Sequence, residues 1–355
     1  QNIAIGYQAG EQVLGGTANI LIGYLCGDEI TSGSYNTAIG DNALSNEDTG
    51  HQSTAVGVEA LGRQASDASE DADNTAVGMT AGKFNILGQD NTAVGSRAMR
   101  GVVDNNHSYN TAVGKDAMFA VTTGSDNTGV GKDALFDLTD GTGNTAIGIA
   151  SGDNITTGDY NTFIGRLAGR TTLDVDLSVA IGNGAMGSAV VTSNADKTVA
   201  IGSDALALLT SGQGNVAIGA NALDAVTTGA HNVAIGYLAA DSVLAGHDSS
   251  IAIGTNALGG THTGTASVQN VAIGGDALAG AMNDADNNTA VGFTAGQAVT
   301  TADDSVFIGA EAGKGITLAL GNVAVGKNAM GGVTVEAANY NVAVGHSALQ
   351  GTSAT

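Results

Sequence analysis

The chain has 355 residues, including 55 glycines, one cysteine, no proline and no tryptophan, and only 4% of it is aromatic. Its apolar residues are mostly Ala, Val and Ile, so any core must be thin. The net charge of −23 argues against nucleic acid as a partner, because phosphates attract Lys and Arg. A single cysteine forms no intrachain disulfide. No apolar run is long enough for a transmembrane helix, so we expect no membrane insertion.

A five-residue phrase ending in glycine recurs along the whole chain. We call its final glycine the anchor; in chain order the anchors are Gly6, Gly23, Gly40, Gly57, Gly78, Gly95, Gly114, Gly131, Gly148, Gly165, Gly182, Gly202, Gly219, Gly236, Gly254, Gly274, Gly292, Gly309, Gly326 and Gly345. Twelve of the nineteen intervals are 17 residues, and the rest are 18 to 21. Twenty copies leave no room for another fold, so the sequence predicts a single repeat array over residues 1–355.

The columns around the anchor alternate in character, as in a strand. The residue before the anchor is Ile or Val in every copy, and two positions earlier stands Thr, Val or Ile. Between them is Ala in sixteen copies; the exceptions are Leu21, Gly129, Phe163 and Phe307. Three positions after the anchor is Ala, replaced only by Cys26 and Ser151, and none of these columns contains a charged residue. Cys26 is therefore expected to be a small buried residue.

This pattern predicts an all-β fold, a parallel β-solenoid or β-roll of about twenty 17-residue coils. Each coil buries its side chains against its neighbours, so a thin core suffices. The alternative is a strand-plus-helix repeat, with a helix in stretches such as residues 204–209. Only about five residues are available for each such helix, and isolated helices that short are marginal.

A strand of a single-chain solenoid has one face in the core and one in water. We place the Ile/Val columns inside the coil and the Ala column outside, where a symmetry mate would cover it. This favours a homotrimer; a flat coil that packs Ala against Ala internally is the alternative. Asn precedes the strand in fifteen copies, which predicts a ladder of side-chain amides that joins coil to coil.

Copies of Asn-Thr-Ala-Ile/Val-Gly-x-x-Ala-Leu, such as residues 36–44 and 215–223, resemble the repeats of phage tail-fibre proteins. The phrases at residues 216–219 and 233–236 are also similar to the head repeats of trimeric autotransporter adhesins. The resemblance covers essentially the whole chain and implies a trimeric β-roll displayed outside a cell or on a virion. The coil is longer than in the adhesin heads. Neither the membrane anchor of the adhesins nor the self-cleaving chaperone domain of tail fibres follows in this sequence.

Nothing in the sequence brings catalytic groups together. The six histidines lie at loop and turn positions of distant coils, without metal-ligand spacing. The acidic segments 67–73 and 284–286 have oxygen ligands suitable for calcium, but neither matches a known calcium loop, so a solvated loop is the default. We therefore expect no enzyme activity, no cofactor and no metal.

The irregular intervals are the best candidates for binding. The insertions fall in one segment of the coil, at residues 62–73, 100–109, 187–197, 259–269 and 331–340, and such insertions often mark the binding face of a solenoid. Four tyrosines also share one column, five positions before the anchor. The possible receptor-contact residues are Arg100, His107, Tyr109, Tyr160, His262 and Tyr340.

The expected function is multivalent attachment to a host cell or surface, through a cell-surface glycan or protein receptor, by an extracellular fibre on a virion or cell. A purely structural filament is the alternative. An ice- or mineral-binding solenoid would need an exposed Thr ladder. Thr occupies the first strand position from Thr37 to Thr162, but Val replaces it in most later coils, which suits a buried column better.

Overall fold

The computed structural model describes residues 1–66, 72–102, 105–242, 246–261, 267–318, 320–332 and 339–351. The chain divides into two compact units, Gln1–Leu177 and Ser178–Thr355. The described part of each unit contains ten parallel three-residue strands, and the predicted all-β parallel solenoid is confirmed. His262 and the acidic residues 67–71 lie outside the described residues.

The strands occupy the same phrase in every coil. In the first unit they are β1 (Ile3–Ile5), β2 (Ile20–Ile22), β3 (Thr37–Ile39), β4 (Thr54–Val56), β5 (Thr75–Val77), β6 (Thr92–Val94), β7 (Thr111–Val113), β8 (Thr128–Val130), β9 (Thr145–Ile147) and β10 (Thr162–Ile164). In the second they are β11 (Val179–Ile181), β12 (Val199–Ile201), β13 (Val216–Ile218), β14 (Val233–Ile235), β15 (Ile251–Ile253), β16 (Val271–Ile273), β17 (Thr289–Val291), β18 (Val306–Ile308), β19 (Val323–Val325) and β20 (Val342–Val344). Within each unit, successive strands pair in register, so that Ala38, for example, lies beside Ala55.

Each strand ends at its anchor because only glycine fits there. Gly40 has φ +138°, and a Cβ on it would lie 2.5 Å from the carbonyl oxygen of Gly57 in the next coil. Side chains rarely adopt this backbone conformation, and no real Cβ tolerates that approach. The anchor column therefore stacks backbone directly on backbone.

The strand-plus-helix alternative is wrong for the described residues, which contain one 3-10 turn, at Ser193–Ala195, and no α-helix. The turn after each strand alternates between right- and left-handed residues. Asp204 and Leu206, within the stretch 204–209, have φ values of +54° and +51°. Left-handed residues interrupt an α-helix.

The assignment of the two strand faces was wrong. Ala38, Ala43 and Leu44 are fully buried inside the coil, whereas Ile39 is 38% exposed and Thr37 is half-buried. Ala thus packs internally, as in the flat-coil alternative. The physical reason is the narrow interior of a 17-residue coil. Its inward strand position has space for a methyl group in most coils, and the larger β-branched side chains point outward.

Glycine compensates wherever a large residue replaces the inward Ala. Phe163 is fully buried, and a Cβ on Gly152 or Gly169 would lie 2.9 or 2.5 Å from its ring. These glycines occupy the position that holds Leu or Met in most coils. Leu21 is flanked in the same way by Gly10 and Gly27, and Phe307 by Gly296 and Gly313. The core therefore keeps a nearly constant volume: one large side chain at the inward strand position replaces the two Leu or Met side chains that pack there in other coils.

The predicted amide ladder is confirmed. The backbone N–H of Asn36 donates to Oδ1 of Asn19 at 2.9 Å, and its Nδ2 donates to the carbonyl of Gly50 at 2.8 Å. The backbone N–H of Ser53 in turn donates to Oδ1 of Asn36 at 2.9 Å. These buried amides satisfy backbone groups at the entrance to each strand, and so they join each coil to the next.

Candidate functional site

The outer strand face consists of the first and third side chains of each strand. In the first unit, Thr occupies the first position in eight successive strands, β3 to β10, and Ile or Val occupies the third. In the second unit, Val or Ile takes the first position in every strand but β17. The third-position side chains Val113, Ile147 and Ile273 are 37%, 41% and 37% exposed. An uncharged, largely apolar surface thus faces outward on each unit.

The tyrosine column lies at the surface, next to the entrance of the strand. Tyr109, Tyr160 and Tyr340 are 57%, 61% and 77% exposed, and all three have left-handed backbone conformations. A Cβ on Gly143 would lie 2.6 Å from the ring of Tyr160, so that ring packs over the turn of the preceding coil. Tyr340 lies over Gly321 in the same way. The rings are therefore both packed and accessible to a ligand.

His107 is not a surface residue, although it was among the predicted receptor contacts. It is 1% exposed, and burial lowers its pKa to about 4. Its Nδ1 lies 3.4 Å from Oδ1 of Asn91, and its Nε2 has no hydrogen-bond partner among the described residues. The ring is thus a neutral core group. The expectation of a solvated loop failed because the coil turns this position inward, as it does for His247, which is 4% exposed.

Arg100 lies half-buried among aromatic rings. Its guanidinium carbon is 4.9 Å from the ring centre of Phe84 and 5.4 Å from that of Phe119. No sequence pattern predicted this arrangement, because the three residues lie in three different coils and not in one column: Phe84 stands six positions after its anchor, and Arg100 and Phe119 stand five after theirs. The sequence singled out Arg100 only as a member of an insertion.

The insertion at residues 187–197 is the only one of the five that lies wholly within the described residues, apart from the side chain of Ser193. It follows the buried Ala185 and Met186 and precedes β12, as predicted, and contains the 3-10 turn. The strands on either side, β11 and β12, still pair in register. Insertions of this kind therefore change the surface without disturbing the sheet.

A buried carboxylate was missed by the sequence analysis. Glu47 is fully buried at a position where Ile30 and Leu138 lie in other coils. Its Oε1 accepts from the backbone N–H of Gly50 at 2.6 Å, and its Oε2 accepts from Nε2 of Gln64 at 2.8 Å and Oγ of Ser66 at 3.0 Å. These donors compensate for the lost hydration, so the group has a structural role.

Two described acidic residues, Asp286 and Asp303, each accept a hydrogen bond from the backbone of the preceding coil. Oδ1 of Asp286 accepts from the backbone N–H of Val268 at 2.8 Å, and Oδ1 of Asp303 accepts from the backbone N–H of Asp286 at 2.8 Å. In the described part of the chain, no group of three His, Cys, Asp or Glu side chains is arranged to hold a metal ion. Cys26 is buried, as predicted, and burial raises its pKa to about 11.

No protein-family model and no curated protein matches this chain. Among the described residues, no helix is long and apolar enough to cross a lipid bilayer. The chain is a β-solenoid repeat protein with an uncharged outer strand face, an exposed tyrosine column and, among the described residues, an insertion between β11 and β12.

Proposed function

We propose that this chain is a non-enzymatic subunit of an extracellular attachment fibre, as in a phage tail fibre or a surface adhesin, and that it assembles as a homotrimer. The observation that carries the proposal is the uncharged outer strand face on each unit. In the second unit this face presents Val or Ile at both outward positions of nearly every strand. Continuous apolar surfaces of this kind are typical of interaction sites.

A second copy of the same chain is the occupant that fits this face best. Identical coils have identical spacing, so three copies can bring matching rows of β-branched side chains together around one axis. The sequence resemblance to trimeric β-rolls points the same way. In such an assembly the insertions and the tyrosine column would face outward and make repeated weak contacts with a surface receptor, and their avidity would replace a deep pocket.

Sedimentation equilibrium of the full chain tests the assembly, and binding to intact cells tests the attachment. We expect a trimeric mass, and Val216→Asp together with Val233→Asp should reduce it to that of a monomer. A matched control, Ser203→Asp, adds charge at an exposed position outside the strand. A monomeric wild-type chain would refute the assembly. A trimer that binds no cell would favour the purely structural filament.

One observation favours a different function, binding to ice or a mineral surface. The Thr column from Thr37 to Thr162 lies on the outer strand face, and not in the core where the sequence analysis placed it. It forms a regular array of hydroxyl and methyl groups at strand spacing, about 4.8 Å. Inhibition of ice recrystallisation by the wild-type chain, and its loss in Thr92→Lys, would support this alternative over attachment.

A further inference from the structure

Five side chains from successive coils form one stack on the surface of the first unit, which we call the cation–aromatic ladder: Arg63, Phe84, Arg100, Phe119 and Phe136. The guanidinium carbons of Arg63 and Arg100 lie 5.7 and 4.9 Å from the centre of Phe84. Arg100 is also 5.4 Å from Phe119, whose ring stacks on Phe136 at 5.1 Å with an interplanar angle of 5°.

The ladder lies in the part of the chain that holds most of its basic residues, although acidic residues still outnumber them there. Of the eleven basic residues, eight lie between positions 63 and 170: Arg63, Lys83, Arg97, Arg100, Lys115, Lys132, Arg166 and Arg170. Five of these eight are already paired with carboxylates, for example Lys83 with Glu59 at 2.7 Å and Arg97 with Asp116 at 2.6 Å. Arg63 and Arg100 form no ion pair with any described residue. Among the described residues, these two positive charges therefore have no carboxylate partner.

The stacking decides which kind of ligand the ladder suits. The negative face of an aromatic ring attracts a cation, and its edge is positive. Phe119 is stacked between Arg100 and Phe136, so its faces are covered and its partly exposed surface consists of ring edges. Ring edges and guanidinium N–H groups together favour an anion. Covered faces do not stack on nucleic-acid bases, which need an open ring face.

The distance between Arg63 and Arg100 indicates how far apart the negative charges of a ligand should be. Arg63 and Arg100 lie two coils apart, which corresponds to about 10 Å at the usual strand spacing. This is close to the length of one disaccharide in an extended polysaccharide. The planar guanidinium group also binds carboxylates through two parallel hydrogen bonds, which a point charge does not provide.

We infer that the cation–aromatic ladder binds a linear acidic polysaccharide with one carboxylate per disaccharide, one carboxylate on Arg63 and the next on Arg100. The inference rests on the proposed attachment function and names the chemical class of its receptor. Arg100 was already a candidate contact in the sequence, and the ladder supplies its partner residues. The ordered stack means that little side-chain entropy is lost on binding.

The test is titration calorimetry of the full chain with hyaluronate oligosaccharides at low salt, with dextran of similar length as the neutral probe. We expect binding to hyaluronate, weakening as salt is raised, and none to dextran. Arg63→Gln together with Arg100→Gln should weaken binding at least about tenfold, as expected for the loss of two bidentate arginine–carboxylate pairs. The conservative pair Arg63→Lys and Arg100→Lys should lie between this variant and the wild type.

The control is Lys314→Gln together with Lys327→Gln, which removes the same charge from the second unit. If this control loses as much affinity as the arginine variant, the effect is general charge and the inference is wrong. Tighter binding to single-stranded DNA than to hyaluronate would also overturn it, as would a wild-type chain that binds neither anionic polymer. Circular dichroism shows whether each variant retains the fold.

Attachment to intact cells, measured in parallel, separates the two proposals. If the wild-type chain attaches to cells but binds no acidic polysaccharide, the inference fails and the attachment function stands. If it binds hyaluronate but attaches to no cell, the attachment function fails and the ladder is an anion site with another role.

Discussion

Phe163→Ala should be among the most destabilising substitutions in the first unit. The ring is fully buried and fills the space that two Leu or Met side chains fill in other coils. Deleting a buried Phe usually costs about 3 to 5 kcal/mol, from lost transfer free energy and from the cavity that remains. We expect the upper part of this range, because Gly152 and Gly169, the two positions that pack on the ring, supply no side chain of their own to fill the space.

The same geometry predicts a rescue. Adding Gly152→Leu and Gly169→Leu to Phe163→Ala restores the usual combination of one Ala and two larger side chains. Both glycines have φ of +59°, and Leu44 and Leu135 occupy the equivalent position at +51° and +52°, so the chain already tolerates Leu there. Left-handed Leu costs roughly 1 to 2 kcal/mol per residue, so the rescue should be partial.

Urea unfolding followed by circular dichroism measures this series, with midpoints compared under identical conditions because repeat arrays need not unfold in two states. Gly169→Leu in the presence of Phe163 serves as the control and should itself destabilise, since a Cβ there would lie 2.5 Å from the ring. The volume argument is refuted if the triple variant is no more stable than Phe163→Ala alone, or if Gly169→Leu is harmless beside Phe163.

Three further predictions concern the faces and the buried polar groups. Ile201→Asp, on the outer strand face, should abolish assembly but keep the protomer folded, whereas Ala200→Asp, inside the coil, should unfold it. Asp204→Asn is the control and should change neither property. Sedimentation reports assembly and circular dichroism reports folding for all three variants. Glu47→Ala should cost about 1 to 3 kcal/mol or more in urea unfolding, because buried donors lose their acceptor, and Glu47→Gln should cost less. Between about pH 6.5 and 4, the stability of the wild-type chain should fall more steeply than that of His107→Gln. The unfolded imidazole takes up a proton below about pH 6.5 and the folded one only near 4, so roughly 3 kcal/mol is lost across that window. Equal pH dependence of the two midpoints would contradict the burial of this ring.

The repeat alone predicted a large part of the fold. The invariant glycine placed all twenty strands, because backbone stacks on backbone at that column and no other residue fits. The Asn column predicted the amide ladder for a similar reason, since a polar side chain that recurs at one register position needs the same partners in every coil. Both inferences depended on regularity, which a sequence displays directly.

The direction of the strand faces was not predictable by the same reasoning. Both strand faces are free of charge. The usual rule that the apolar face turns inward therefore could not distinguish them. The side-chain volumes in the two columns could have shown which face turns inward. Six of the seven glycines found four positions after an anchor flank Leu21, Phe163 or Phe307, one in the same coil and one in the coil before. A large residue in the middle of the strand needs glycine four positions after the anchor only if both side chains fill the same interior space.

The cation–aromatic ladder, in contrast, could not be predicted from the regularity of the repeat. Arg63 and Phe84 stand six positions after their anchors, whereas Arg100, Phe119 and Phe136 stand five positions after theirs, so no single column contains the stack. The residues meet because these two positions lie side by side in the turn after the buried phrase, where the backbone N–H of Phe84 donates to the carbonyl of Arg100. Each coil also keeps its register on the sheet. A solenoid can therefore vary its surface chemistry freely while its interior stays fixed. This separation explains why the strands and the amide ladder followed from the repeat, whereas the candidate binding surface emerged only from the structure.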